Sequence, residues 1–171
     1  LSLHDALPIY TKRKLKVCEM KSRQKQKAID CSSIKAINFD LQKVLITPKC
    51  QVSDFYYSRK LSTYNFTVFD MASRESMCFM WHENIAKLGS CEISSCLYGY
   101  IKQLGEVEEL HCYSDSCTGQ QRNVNFSAMC LYVVGTLPVK KITHTYFEQG
   151  HSQMEGDCVH ATIESATKVA I

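Results

Sequence analysis

Apolar positions along the chain fall into short alternating runs and longer stripes spaced by three and four. SIKAINFDLQKVLI (33–46) places Ala36, Ile37, Phe39, Leu41, Val44 and Leu45 ahead of TPK, which predicts a buried strand that leaves the sheet before Pro48. SDFYYSRK (53–60) reads as a short amphipathic turn or helix. LSTYNFTVFDM (61–71) is rich in β-branched and aromatic residues, ASRES reads as a turn, and MCFMWHE (77–83) as the returning strand of an antiparallel hairpin. From about residue 89 to 104, Ile93, Leu97, Tyr100, Ile101 and Leu104 repeat at helical spacing, and Gly105 is a helix stop. VEELHCYSD (107–115) predicts a strand. GQQRNVNFSAMCLYVVGTL (119–137) predicts a helix with Phe126, Met129, Cys130 and Val133 on one face, closed by Pro138. ITHTYFEQ (142–149) predicts a strand and QMEGDCVHATIESATKVA (153–170) a last helix. The order β-β-β-α-β-α-β-α implies an α/β fold whose mixed sheet is mainly parallel in its second half and covered by helices.

Length and composition fit one domain: 171 residues, 45% hydrophobic and 22% charged. No apolar run approaches the roughly 20 residues of a membrane span, so no membrane partner is expected. The ten cysteines include no Cys-x-x-Cys pair. Cys78, Cys112 and Cys130 sit beside aliphatic residues in predicted elements, so most cysteines read as reduced core residues of an intracellular protein. A secreted disulfide protein is the other reading.

The net charge of +3 hides an asymmetry. Residues 12–27 hold eight Lys/Arg and one Glu, whereas residues 28–171 hold 12 basic and 15 acidic residues, about −3. The basic segment lacks periodicity. Residues 10–32 read as a linker or solvated helix, or else as a nucleic-acid or nuclear-import arm. An acidic body argues against tight DNA binding by this domain alone, because phosphate contacts supply most non-specific affinity. LSLHDALPI (1–9) resembles a translated sequencing-adapter read-through and is left out of the fold prediction, and the end at ATKVAI reads as a truncation within a helix.

The candidate chemistry lies in carboxylates. Asp40 falls inside an apolar strand, where a carboxylate is costly unless paired, hydrogen-bonded or bound to metal. Asp115 ends a later strand, where open α/β sheets place ligands. Asp157 lies in the last helix and shares a face with His160 at i+3 and Glu164 at i+7. Each Asp alone also suits a strand edge, a turn or an exposed helix. Together, two strand acids and a late-helix acid are what divalent-metal phosphoryl chemistry needs.

This order of elements and acids resembles the ribonuclease H-like fold of cut-and-paste transposases and retroviral integrases. More closely, FDLQKVLITPK, LSTYNFTVFDM, YSDSCTGQQRN and GHSQMEGDCVHATIE resemble an uncharacterised domain found in many insect and other animal proteins of transposon origin, over residues 35–168. The resemblance implies a ribonuclease H-like domain over 33–171. Asp40, Asp115 and Asp157 would be its catalytic and Mg²⁺- or Mn²⁺-binding residues, with Glu155 and Glu164 as rivals for the third place. It further implies that Gln120, Arg122 and Asn123 contact nucleic acid and that His151, Ser152 and Glu164 support the site. The expected activity is that of a metal-dependent nuclease or strand-transfer domain acting on DNA in the nucleus, as a homo-oligomer as in transposases. The alternative is a domesticated, inactive module of the same fold that binds nucleic acid or protein.

Other candidates carry less. His144, His151, Cys158 and His160 are zinc-type ligands, yet their spacing matches no zinc finger. Cys117 beside Asp115 is a nucleophile candidate without an adjacent His. Trp81 and the tyrosines read as packing rather than base-stacking residues.

Overall fold

Alternating buried side chains build the centre of the sheet. In a computed structural model, which describes residues 3–47, 59–147 and 154–169, a mixed six-stranded open sheet carries helices on both faces. Strand β1 (Ile34–Leu41) runs through its middle. On one side β1 pairs antiparallel with β3 (Leu61–Asp70), which pairs antiparallel with β4 (Ser76–His82). On the other side β5 (Glu109–Ser114) lies parallel to β1, and β6 (Lys141–Tyr146) parallel to β5. The expected mixed α/β sheet is therefore present.

The predicted strand over 33–46 is two strands. After β1 the chain breaks at Gln42–Val44 and resumes as β2 (Leu45–Thr47), which takes up the same edge of β3 further along. The break is held by one backbone and one side-chain hydrogen bond between Gln42 and Asn65. Gln42 N donates to the Asn65 carbonyl at 2.9 Å, and the Asn65 amide donates to Gln42 Oε1 at 2.9 Å. Most of segment 53–60, like His151 and Ser152, lies outside the described residues.

One face of the sheet is apolar. Ile37, Phe39, Phe66, Val68, Leu110 and Cys112 bury themselves against Ile93, Leu97 and Ile101 of helix α2 (Ser90–Lys102) and Phe126 and Val133 of helix α3 (Val124–Thr136). The stripes predicted on both helices are these faces. Helix α3 starts later than predicted because the Asn123 side chain caps it, accepting Phe126 N–H at 3.0 Å.

The opposite face is mixed. It holds Ala36, Phe69, Met71 and Tyr113, but also a buried polar row of Asn38, Gln42, Asn65 and Thr67. Helix α1 (Leu3–Asp30) and helix α4 (Gly156–Val169) cover this side. The segment 10–32, read as a linker or solvated helix, thus belongs to a helix docked on the sheet. Ala28 is buried, Gln24 accepts from the Tyr113 hydroxyl, and Lys21 Nζ reaches Glu155 at 2.6 Å and lies 5.5 Å from the Phe147 ring.

The cysteine expectation needs correcting. Of the nine described cysteines, all with free thiols, only Cys112 is fully buried, and Cys78, although inside β4, points outward with Cys18, Cys31, Cys91 and Cys158. Residues of β4 alternate in exposure, and the alternation puts Cys78 on the open side. Among the described residues no helix is long and apolar enough to cross a membrane.

Candidate metal centre

Strand alternation decides which acids share a face. Ile37, Phe39 and Leu41 of β1 point to the α2/α3 side, so Asn38 and Asp40 point to the mixed side under α4. Thr67 of β3 is the ladder partner of Asp40. Asn38 pairs with Tyr113 in the parallel ladder, so Asp115, two residues on, comes off β5 at the level of Asp40 and on its side. Helix α4 brings its first turn over this row.

The result is a close set of three. Ligand-type atoms of Asp40, Asp157 and His160 all lie within 4.8 Å of one another. The Asp40 pKa is raised from 3.8 to about 7, chiefly by burial, with the Leu41 N–H opposing and the charges of Asp115 and Asp157 adding to the rise. No Lys or Arg forms an ion pair with Asp40 among the described residues. Asp157 is exposed, and its Oδ2 accepts the Met154 N–H at 3.0 Å, which closes the first turn of α4. His160 is half-buried. Burial lowers its pKa, against the opposing pull of Asp157 and Glu164, so its neutral, metal-binding form is favoured. Its Nε2 shares a 3.1 Å hydrogen bond with Thr67 Oγ1, and its carbonyl accepts from Gln42 Nε2 at 3.1 Å.

The other predicted residues divide around this set. Asp115 stands outside the close trio: its Oδ1 accepts Cys117 N–H at 3.3 Å, and it reaches Asp40 through charge alone. Of the rivals for the late-helix place, Glu155 is taken up by Lys21 at 2.6 Å and by the Asn38 amide, while Glu164 acts on His160 only through its charge. Asp157 is the one that meets Asp40. Arg122 is exposed, with its guanidinium 5.8 Å from the Tyr146 ring. That ring lies 4.1 Å from His144, whose own contacts with Phe39 and Phe126 belong to the α2/α3 face. Arg122 is thus turned away from the carboxylates. Asn123 is spent on its cap and on the Thr118 carbonyl, and Gln120 N bonds Cys117 O.

Among the described residues the zinc-type grouping of His144, Cys158 and His160 does not assemble, and His151 lies outside them. His144 lies across the sheet from His160, bonded to Ser114 Oγ at 2.8 Å and held neutral by burial, which lowers its pKa to about 4. Cys158 donates to the Glu155 carbonyl and is exposed.

Two participants were not singled out as ligands from the chain alone. His160 was visible as a face partner of Asp157 and as one of four zinc-type side chains, not as a ligand beside the acids, and Thr67 carries no signal until the β1–β3 register is known. In comparisons with models of known families and with curated proteins, nothing matches the chain.

Proposed function

We propose that the chain is a ribonuclease H-like, metal-dependent domain that acts on the phosphodiesters of DNA, and so works in the nucleus. The observation that carries the reading is the convergence of Asp40 and Asp157, from a central strand and the last helix, on one point of the sheet. The strand sequence supports it. A central strand flanked by an antiparallel hairpin on one side and two parallel strands on the other is the arrangement of ribonuclease H-like domains.

The residues suit a divalent cation. A largely buried carboxylate with no Lys or Arg ion pair among the described residues, beside a second carboxylate, is short of positive charge, and Mg²⁺ or Mn²⁺ would supply it. Asp40 and Asp157 would hold the ion, and Asp115 would add charge at its edge. A bound dication would stabilise charge on a phosphate and help activate the attacking hydroxyl. The chain itself fixes the geometry: the β1–β3 ladder holds Asp40, and the Met154–Asp157 turn holds Asp157. The Lys21–Glu155–Asn38 contacts hold that turn against the sheet. In transposases such domains work as homo-oligomers, and the same is proposed here.

The reading is tested by nicking of supercoiled plasmid with Mn²⁺ and with EDTA. Asp40→Asn and Asp157→Asn should each cut the metal-dependent rate by at least about a hundredfold, the scale expected for loss of an electrostatic element of the site. Plasmid binding without nicking by the wild-type chain would instead favour the inactive binding module. The position of Asp115 outside the close trio speaks for that second reading.

A further inference from the structure

Resting on that metal-site reading, we propose that His160 is the third inner ligand beside Asp40 and Asp157. It makes the site select a first-row transition-metal dication of the Mn²⁺ type over Mg²⁺ and Ca²⁺. The acids alone do not ask for this. Mg²⁺ and Ca²⁺ are hard ions that take oxygen ligands, whereas an imidazole nitrogen in the set favours Mn²⁺ and the metals that follow it in the affinity series. Two carboxylates to one imidazole keep the set oxygen-rich, which suits Mn²⁺ better than zinc, whose structural sites gather Cys and His.

The geometry supports an inner position for His160. Ligands bound at about 2.1–2.2 Å to one ion stand no more than about 4.4 Å apart. The three ligand-type atoms lie within 4.8 Å of one another, so side-chain adjustments without any backbone movement would bring them to that spacing. The ring is also aimed. Metal-binding histidines usually anchor their second nitrogen on a neighbouring polar group. Here Nε2 is bonded to Thr67 Oγ1, and Thr67 faces Asp40 across the β1–β3 ladder. In the tautomer whose Nε2–H donates to Thr67, Nδ1 carries the lone pair that would bind the ion.

A separate observation points to a cation at this place. Asn38, two residues before Asp40 on the same face, is 1% exposed, and its Oδ1 has no hydrogen-bond partner among the described residues. That oxygen lies 3.6 Å from where a Cβ on Gly156 would stand, next to Asp157. A buried acceptor lacking a donor, beside the start of α4, suits the positive charge or the water shell of a bound ion.

The test uses the full chain, with Mn²⁺ and Mg²⁺ as probes, on wild type, His160→Gln and Thr67→Val. Isothermal titration gives affinities, and electron spin-echo modulation of bound Mn²⁺ reports directly coordinated nitrogen. Wild type should bind Mn²⁺ at least about tenfold more tightly than Mg²⁺ and show nitrogen modulation. His160→Gln should lose the modulation and about ten- to hundredfold in Mn²⁺ affinity, with Mg²⁺ binding nearly unchanged. Thr67→Val should keep the modulation and weaken Mn²⁺ binding less. Mn²⁺ binding without nitrogen modulation would overturn the role of His160 and leave the Asp40–Asp157 site standing. Failure of natively folded wild type to bind either ion would remove both. Should His160→Gln fail to fold, the wild-type modulation decides the matter alone.

Discussion

At the scale of single residues, Asp40 is the carboxylate that burial perturbs most clearly. Its carboxyl ionises at about 7 in the fold and near 3.8 in the unfolded chain, because burial penalises the charge. A group whose folded pKa is raised takes stability away as pH climbs from the unfolded value toward the folded one. Without metal, the protein should therefore lose stability between about pH 4 and pH 7. Asp40→Asn should flatten that slope and be more stable than wild type at pH 8, by on the order of a few kcal/mol. Chemical denaturation in EDTA at pH 5 and pH 8 measures both. A proton and a cation also compete for the same carboxylate, so Mn²⁺ affinity should fall about tenfold for each pH unit below 7. Much of this was legible from the chain, since an Asp among Ile37, Phe39 and Leu41 was already costly. The role of Thr67 was not, because strand register is a tertiary fact.

At the scale of elements, α1 and α4 differ most from their sequence patterns. Eight Lys/Arg in residues 12–27 looked like a solvated segment. The helix docks nonetheless, through described contacts that mix polar and apolar groups and leave no long apolar stripe to read: Lys21 on Glu155, Gln24 on Tyr113, and Ala28 in the core. Lys21→Met should cost about 1–2 kcal/mol, the scale of a partly buried charged hydrogen bond, and should raise hydrogen exchange throughout α1. Unchanged exchange would mean that α1 is not held there. The break between β1 and β2 was hidden for a similar reason. Val44 and Leu45 continue the apolar pattern, and only the pairing of Gln42 with Asn65 shows where the chain leaves the ladder. At α3, the Asn123 cap has an ordinary signature, and Asn123→Ala should cost about 1 kcal/mol in thermal denaturation without altering metal binding.

At the scale of the whole molecule, the mixed α/β sheet with its hairpin half and its parallel half was legible from the succession of patterns, because hairpin-forming strands and strand–helix alternations each leave their own period. Which acids meet was legible only in part. The faces of β1 and β5 follow from alternation, yet the choice of Asp157 over Glu155 rests on Lys21 and Asn38, far away in the chain. A cation bridging β1 and α4 ties together parts more than a hundred residues apart, and should stabilise the fold by mass action. At a hundred times its dissociation constant Mn²⁺ should add about 2.7 kcal/mol, and thermal melts with and without EDTA would show a rise of several degrees. The most direct measurement is a crystal of the chain grown with Mn²⁺ and read by anomalous scattering. The account predicts a peak within about 2.0–2.5 Å of oxygens of both Asp40 and Asp157. A map with no peak there, or with manganese bound only elsewhere, would contradict it.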